Sequence, residues 1–134
     1  MNALYVHINF ESDLPIYEQL KNELKRGIAQ NLLRAGERLP SVRDMATDIG
    51  INLHTVNKAY KQLQQEGYLQ IHRQRGVVVH PDGPPVTDEA HIQQLREVMQ
   101  PLIVDAICRK LSQAEFEALC HDLFTEVTEG KTDE

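Results

Sequence analysis

The sequence is poor in cysteine and aromatic residues, and it lacks any long apolar run. Two cysteines among 134 residues are too few for a disulfide framework or, by themselves, for a four-ligand zinc site. There is no tryptophan, and no segment approaches the roughly 20 apolar residues of a membrane span. Residues 1–13 also lack the basic and apolar segments of a secretory signal. We therefore expect a cytoplasmic protein that has no membrane partner.

Motifs typical of enzymes are equally scarce. The sequence has no glycine-rich phosphate loop, no nucleophile elbow and no paired carboxylates beside a base. Its six histidines show no metal-ligand spacing. Cys120 falls on the apolar face of a predicted helix, where cysteine commonly acts as a small buried hydrophobe, although Cys108 and His121 leave a redox or metal role open. We expect no enzymatic activity, no cofactor and no resident metal.

Charge is distributed unevenly along the chain. Taken over the whole chain, the net charge of −6 disfavours nucleic acid as a partner. Residues 1–83, however, hold ten basic and nine acidic residues, whereas residues 84–134 hold four basic and eleven acidic ones. Residues 34–75 alone carry seven basic residues against four acidic ones. The acidity therefore belongs to the C-terminal part, and a positive segment remains available for an acidic partner.

Periodicity and turn residues predict a mainly α protein with a small β-hairpin. Alternating apolar residues predict a strand over about 4–10, and Ser12 and Asp13 are expected to cap a helix over about 15–30. Pro101 is expected to bend or split the helix over about 87–111. The remaining elements are helices over about 41–48 and 53–66, a hairpin over about 68–80, and a last helix starting after the Ser112 capping box. We predict a winged helix-turn-helix domain over 1–81, a linker over 82–86 and a helical dimerisation segment over 87–134.

Two short helices around Gly50, followed at once by a basic hairpin, form a layout typical of DNA readers. The second helix can enter the major groove, while the hairpin reaches the backbone or an adjacent groove. Asn57 can read a base edge, Thr55 and Lys58 suit phosphate oxygens, and Arg43 lies in the first turn of the preceding helix, where a phosphate is favoured. We call the following thirteen residues the predicted contact set: Arg34, Arg38, Ser41, Arg43, Asn52, His54, Thr55, Asn57, Lys58, Lys61, Arg73, Arg75 and Gly76.

Four segments in fixed order resemble the N-terminal winged-helix domain of GntR-type bacterial transcriptional regulators. They are Pro15-Ile-Tyr-Glu-Gln-Leu20, Gly36-Glu-Arg-Leu-Pro-Ser-Val-Arg43, Thr55-Val-Asn-Lys-Ala-Tyr60 and Leu63-Gln-Gln-Glu-Gly-Tyr68, and the resemblance covers about 10–80. It implies that Arg43 contacts DNA and that Thr55, Asn57 and Lys58 lie on the recognition helix. The short acidic C-terminal part is similar to the YtrA-type subgroup, which implies a homodimer held by those helices.

The sequence departs from the family pattern at two places. The family usually has a polar or basic residue after the cap of the recognition helix, where this chain has Leu53. The wing of this family corresponds to the predicted hairpin over about 68–80. It usually carries Gly-x-Gly-Thr, whereas this chain has a single glycine, Gly76, followed by three valines. The wing contacts and the operator sequence are therefore left open.

The two C-terminal helices each have one apolar face that needs a partner surface. A second copy is the economical choice because dimeric DNA readers must match two half-sites about 34 Å or more apart. The alternative is that these helices pack only on their own winged helix. The predicted dimer face comprises Leu95, Met99, Leu102, Ile103, Ile107, Phe116, Leu119, Leu123 and Phe124.

These observations predict a homodimeric, sequence-specific transcriptional regulator, with a repressor favoured over an activator. Its expected partners are a pseudo-palindromic double-stranded operator, a second copy of itself and, if one exists, a small-molecule effector. The alternative is a winged-helix protein-interaction module that does not bind DNA.

Overall fold

A computed structural model describes residues 6–130. Contacts divide the chain into two units, one ending at Pro85 and the other beginning at Val86. The N-terminal unit contains three helices and an antiparallel hairpin in which Leu69 lies opposite Val79 and His72 lies opposite Gly76. The mainly α fold with one small hairpin is confirmed. The elements of this unit are α1 (Ile16–Ala29), α2 (Val42–Ile49), α3 (Leu53–Gln65), β1 (Leu69–His72) and β2 (Gly76–Val79).

The core of the N-terminal unit lies between its helices and the inner face of the hairpin. Leu20 and Leu24 of α1 pack with Val56, Tyr60 and other residues of α3, following the apolar spacing of both helices. Tyr60 is fully buried, and its hydroxyl donates a 2.9 Å hydrogen bond to the carbonyl oxygen of Pro40. Burial raises the pKa of the Tyr60 hydroxyl, so this group stays a neutral donor. The bond ties α3 to the segment that leads into α2.

The predicted strand over about 4–10 is wrong for residues 6–10. Leu4 and Tyr5 lie outside the described residues, and residues 6–10 form no strand. Side chains of α1 satisfy this backbone instead, because Glu23 accepts from the amide of His7 and the Gln19 amide group bonds Asn9. Val6 and Ile8 still pack against the core. The alternating pattern therefore reflects one buried face without a partner strand.

The cap predicted for α1 is also wrong, whereas α2 is capped at both ends. Pro15 occupies the cap position of α1, and the Ser12 hydroxyl instead accepts a bond from Leu14 in a local turn. The Ser41 hydroxyl accepts from the amide of Asp44 at the start of α2. Gly50 ends α2 in the left-handed conformation at φ +81°, which favours glycine.

A charged cluster joins α1 to the C-terminal end of α3. Residue Lys21 is 7% exposed, and its ammonium donates 2.8 Å hydrogen bonds to Gln62 and to Glu66. Lys25 lies 3.2 Å from the other carboxylate oxygen of Glu66 and 4.9 Å from the centroid of the Tyr68 ring. Burial raises the pKa of Glu66, but the bonds from Lys21 and Lys25 outweigh it and hold the pKa below its ordinary value of 4.5.

We expect this cluster to make stability depend on pH in the acid range. Because the folded-state pKa of Glu66 is depressed, its contribution is present above about pH 4.5 and is lost as the pH falls through the folded-state value. The free energy of unfolding in urea, measured from about pH 6 to about pH 3, should fall less steeply in Glu66→Gln than in the wild type. Glu11→Gln, which alters an exposed carboxylate, serves as control. Parallel curves for the wild type and Glu66→Gln would refute this assignment.

The C-terminal unit contains α4 (Glu89–Cys108) and α5 (Gln113–Thr128). Pro101 does not split α4, which continues through it, so that part of the expectation is wrong, and a bend at Pro101 stays a prediction. Asp88 caps α4, and the predicted capping box of Ser112 and Glu115 is present in both directions at α5. Neither helix contains a buried residue. Within residues 6–130, no helix combines the length and the hydropathy needed to cross a bilayer.

Candidate nucleic-acid interface

The helix pair α2–α3 presents two capped N-termini. The Ser41 hydroxyl occupies one amide of the first turn of α2, and Arg43, the second residue of that helix, is exposed. Asn52 accepts a 2.7 Å bond from the amide of His54 and so fixes the start of α3. Met45 and Ala46 on the inner side of α2 are buried, which leaves the Arg43 side chain at the surface.

The first half of α3 has an apolar face in the core and polar residues outside it. Val56 and Ala59 are completely buried, whereas His54 and Lys58 are exposed and Thr55 is half-buried. The Lys58 ammonium lies 3.9 Å from the centroid of the Tyr17 ring of α1, a cation–π contact. Lys58 is therefore positioned by a side chain from another helix.

The hairpin is attached to the rest of the unit by the segment that precedes α2. Residues 36–39 run beside β2, with Leu39 donating to Val77 and Val79 donating to Glu37, both at 2.8 Å. Arg38 forms an isolated antiparallel bridge with Val78. The hairpin thus gains a third extended segment along one edge, which fixes the wing in place. Arg73 and Arg75 are exposed in the turn between β1 and β2.

Gly76 has a structural role that the sequence did not reveal. Its φ of +77° is in the left-handed region that favours glycine. A Cβ placed there would come within 3.4 Å of the guanidinium Nε of Arg38. That is an ordinary van der Waals distance, so the left-handed backbone is what favours glycine here. The guanidinium of Arg38 lies beside the start of β2, so the wing carries the charge of Arg38 together with those of Arg73 and Arg75.

The structure leaves the whole predicted contact set accessible. Ten of its thirteen members are exposed, and Thr55, Asn57 and Gly76 are half-buried. The direct contacts bring Arg38 to Gly76 and Asn52 to His54. Sequence reasoning missed Tyr17 as the support for Lys58, and it missed the packing of Arg38 on the wing. Neither contact carries a local signal, because each joins residues far apart in the chain.

The predicted dimer face is apolar and exposed. Phe124 is 73% exposed and Ile107 is 63% exposed, and Phe116 is half-buried. Cys108 is exposed and Cys120 is half-buried. Among the residues that the structure describes, no three His, Cys, Asp or Glu side chains form a group that could hold a metal ion.

Two capped helices around a glycine turn, followed by an anchored basic hairpin, define a winged helix-turn-helix DNA-binding protein. Comparison with known proteins agrees with this class. Residues 16–79 match the family model described as bacterial regulatory proteins, gntR family. The chain is 36% identical over 101 residues to the HTH-type transcriptional repressor YtrA of Bacillus subtilis, covering 75% of this chain and 78% of that protein. The chain belongs to the gntR family, and its predicted similarity to YtrA-type members is confirmed.

Solved structures extend the comparison to the fold. A transcriptional antiterminator from Listeria monocytogenes EGD-e is 26% identical and matches 100% of this chain and 99% of its own, with a TM-score of 0.87. The DNA-binding domain of AraR, solved in complex with operator ORX1, is 25% identical and covers 56% of this chain and 96% of its own, with a TM-score of 0.51. This chain is accordingly a transcriptional regulator with a DNA-binding winged helix.

Proposed function

We propose that the protein is a homodimeric repressor that binds a pseudo-palindromic operator. The N-terminal half of α3 enters the major groove, and the wing meets the backbone or the minor groove. The observation that carries this proposal is the exposed start of α3, which is capped by Asn52 and held against the core by the buried Val56 and Ala59. Residues 1–81 form the DNA-binding domain, 82–86 the linker and 87–134 the dimerisation segment.

The predicted contact set divides into backbone and base contacts. Arg43 pairs with a phosphate beside the first turn of α2, where free amides already favour an anion. Lys58 reaches a phosphate from its place over Tyr17. Asn57 reads a base edge through its amide, which suits adenine. Arg38, Arg73 and Arg75 supply the positive charge of the wing.

The homodimer follows from the exposed apolar face of α4 and α5. An apolar surface of that extent favours association, and a two-fold pair of identical chains matches two operator half-sites. The acidic balance of residues 84–134 complements this arrangement, because it disfavours contact of the dimerisation segment with the phosphate backbone. The name of the Bacillus subtilis relative supports repression rather than activation.

This function places the protein in the cytoplasm, associated with the nucleoid when bound to DNA. Regulation requires no catalytic step, so the protein needs no cofactor and has no enzymatic activity. Any small-molecule effector would act by changing the geometry of the dimer.

An electrophoretic mobility shift with the region upstream of the protein's own operon tests the proposal. We expect retarded complexes whose affinity falls steeply as salt rises, because phosphate contacts release counterions. Random DNA of the same length and composition is the control. Equal affinity for both DNAs would instead favour a protein-interaction module.

Asn57→Ala tests the base contact. We expect loss of preference at one base position in each half-site, worth about 1–3 kcal/mol, with the other positions unchanged. Competition binding with operators substituted at single positions measures this effect. Thr55→Ala is the comparison, since removal of a phosphate contact weakens binding to all sequences equally. An unchanged preference in Asn57→Ala would contradict the assignment.

A further inference from the structure

A leucine lies exposed at the first position of the recognition helix. Leu53 is 40% exposed, between the exposed polar residues Asn52 and His54. Ile51, two residues earlier, packs against the core. The start of α3 therefore combines a polar cap with an apolar side chain at the surface.

The position of Leu53 at the start of the recognition helix makes its exposure relevant to DNA binding. Single exposed leucines are ordinary on protein surfaces. In a helix-turn-helix protein, however, the first residues of the recognition helix face the base edges. Helical side chains also lean toward the N-terminus of their helix, so Leu53 extends over the end that enters the groove first. The bond from His54 to Asn52 already fixes this end, so Leu53 is not needed as its cap.

The chemistry of leucine restricts what it can recognise. It has no hydrogen-bond donor or acceptor, so it cannot read the acceptor edge of guanine or the amino groups of adenine and cytosine. The major groove offers one apolar group on a base edge, the C5-methyl of thymine. We propose that Leu53 is a specificity-determining residue that packs against a thymine methyl in each half-site. This inference rests on the proposed DNA-binding function and assigns one base preference within it.

Uracil in place of thymine isolates the methyl group. The operator is first selected from random-sequence duplexes with the full-length protein, and each dT is then replaced by dU symmetrically in both half-sites. We expect one such replacement to weaken binding about fourfold per half-site, or about 15-fold for the pair, which is the effect of one methyl group lost from an apolar contact. The other replacements should leave affinity unchanged. Fluorescence anisotropy titration measures each affinity.

Two variants assign the effect to the side chain. Leu53→Ala should bind the dT and dU operators equally well, because the contacting methyl groups are gone from the protein. Leu32→Ala removes a leucine of similar exposure, 39%, after α1 and should keep the full discrimination. Circular dichroism checks that both variants are folded.

The outcomes separate this inference from the function on which it rests. If the wild-type protein selects no DNA sequence, the proposed function fails and this inference fails with it. If an operator is selected but every dU replacement is neutral, only the role of Leu53 is overturned. A uracil penalty that persists in Leu53→Ala also overturns it.

Discussion

The double variant Leu102→Glu/Phe124→Glu should be a monomer with greatly reduced affinity for the operator. These residues lie on α4 and α5 and are 59% and 73% exposed, so the single chain should tolerate the changes. In a dimer they would place four carboxylates in an apolar interface, where unpaired charge is strongly disfavoured. Sedimentation should give a species of 15.3 kDa rather than one of twice that mass.

Loss of the dimer should reduce operator affinity on the order of 10²- to 10⁴-fold, because the second half-site no longer adds to the first. Gln94→Glu/Ala118→Glu is the matched control, since it adds the same charge at exposed positions away from the apolar stripe of each helix. The control should remain dimeric and bind normally. A dimeric double variant with full affinity would show that α4 and α5 do not form the interface.

Arg43→Ala should weaken operator binding on the order of 10²- to 10⁴-fold without altering thermal stability. Hydrogen bonds to charged partners are worth about 1.5–3 kcal/mol, and a dimer makes the proposed contact twice. The Arg43 side chain is exposed, so its removal should not disturb the core. The slope of log affinity against log salt should fall by about one for each half-site.

Arg26→Ala is the control for Arg43. Arg26 follows Lys25, which bonds Glu66 at the C-terminal end of α3. This end of the helix is far from its N-terminal half, which is proposed to enter the major groove. This variant removes a positive charge of the same kind and should bind the operator almost as well as the wild type. If both variants lose affinity equally, Arg43 acts only through overall charge; if neither does, it makes no phosphate contact.

Apolar spacing and turn residues in the sequence predicted the helices and turns that depend on neighbouring residues. The helix predicted over about 53–66 is α3, in which Val56, Tyr60 and Leu63 are buried, and the turn predicted at Gly50 lies before it. These features depend on residues within a few positions of one another. The resemblance to the gntR family then supplied the order of the elements and their function.

Contacts between distant parts of the chain were not predictable in this way. Gln19 provides hydrogen bonds to the backbone near Asn9, which explains why the alternating N-terminal segment needs no neighbouring strand. Lys21 reaches Glu66, 45 positions away, and periodicity alone shows Lys21 only as a charged residue beside an apolar face. Arg38 and Gly76 likewise meet only because residues 36–39 run beside β2.

The contact of Lys58 with Tyr17 bears on the thermodynamics of operator binding. Immobilising a long flexible side chain at an interface costs about 0.5–1.5 kcal/mol of conformational entropy. Lys58 already has a defined place over the Tyr17 ring in the free protein. If Lys58 makes the proposed phosphate contact, much of the entropy cost of ordering its side chain is therefore met during folding rather than during binding. The Lys58 ammonium is then already positioned when the recognition helix meets DNA. Its attraction to a phosphate is offset by a smaller loss of side-chain entropy on binding.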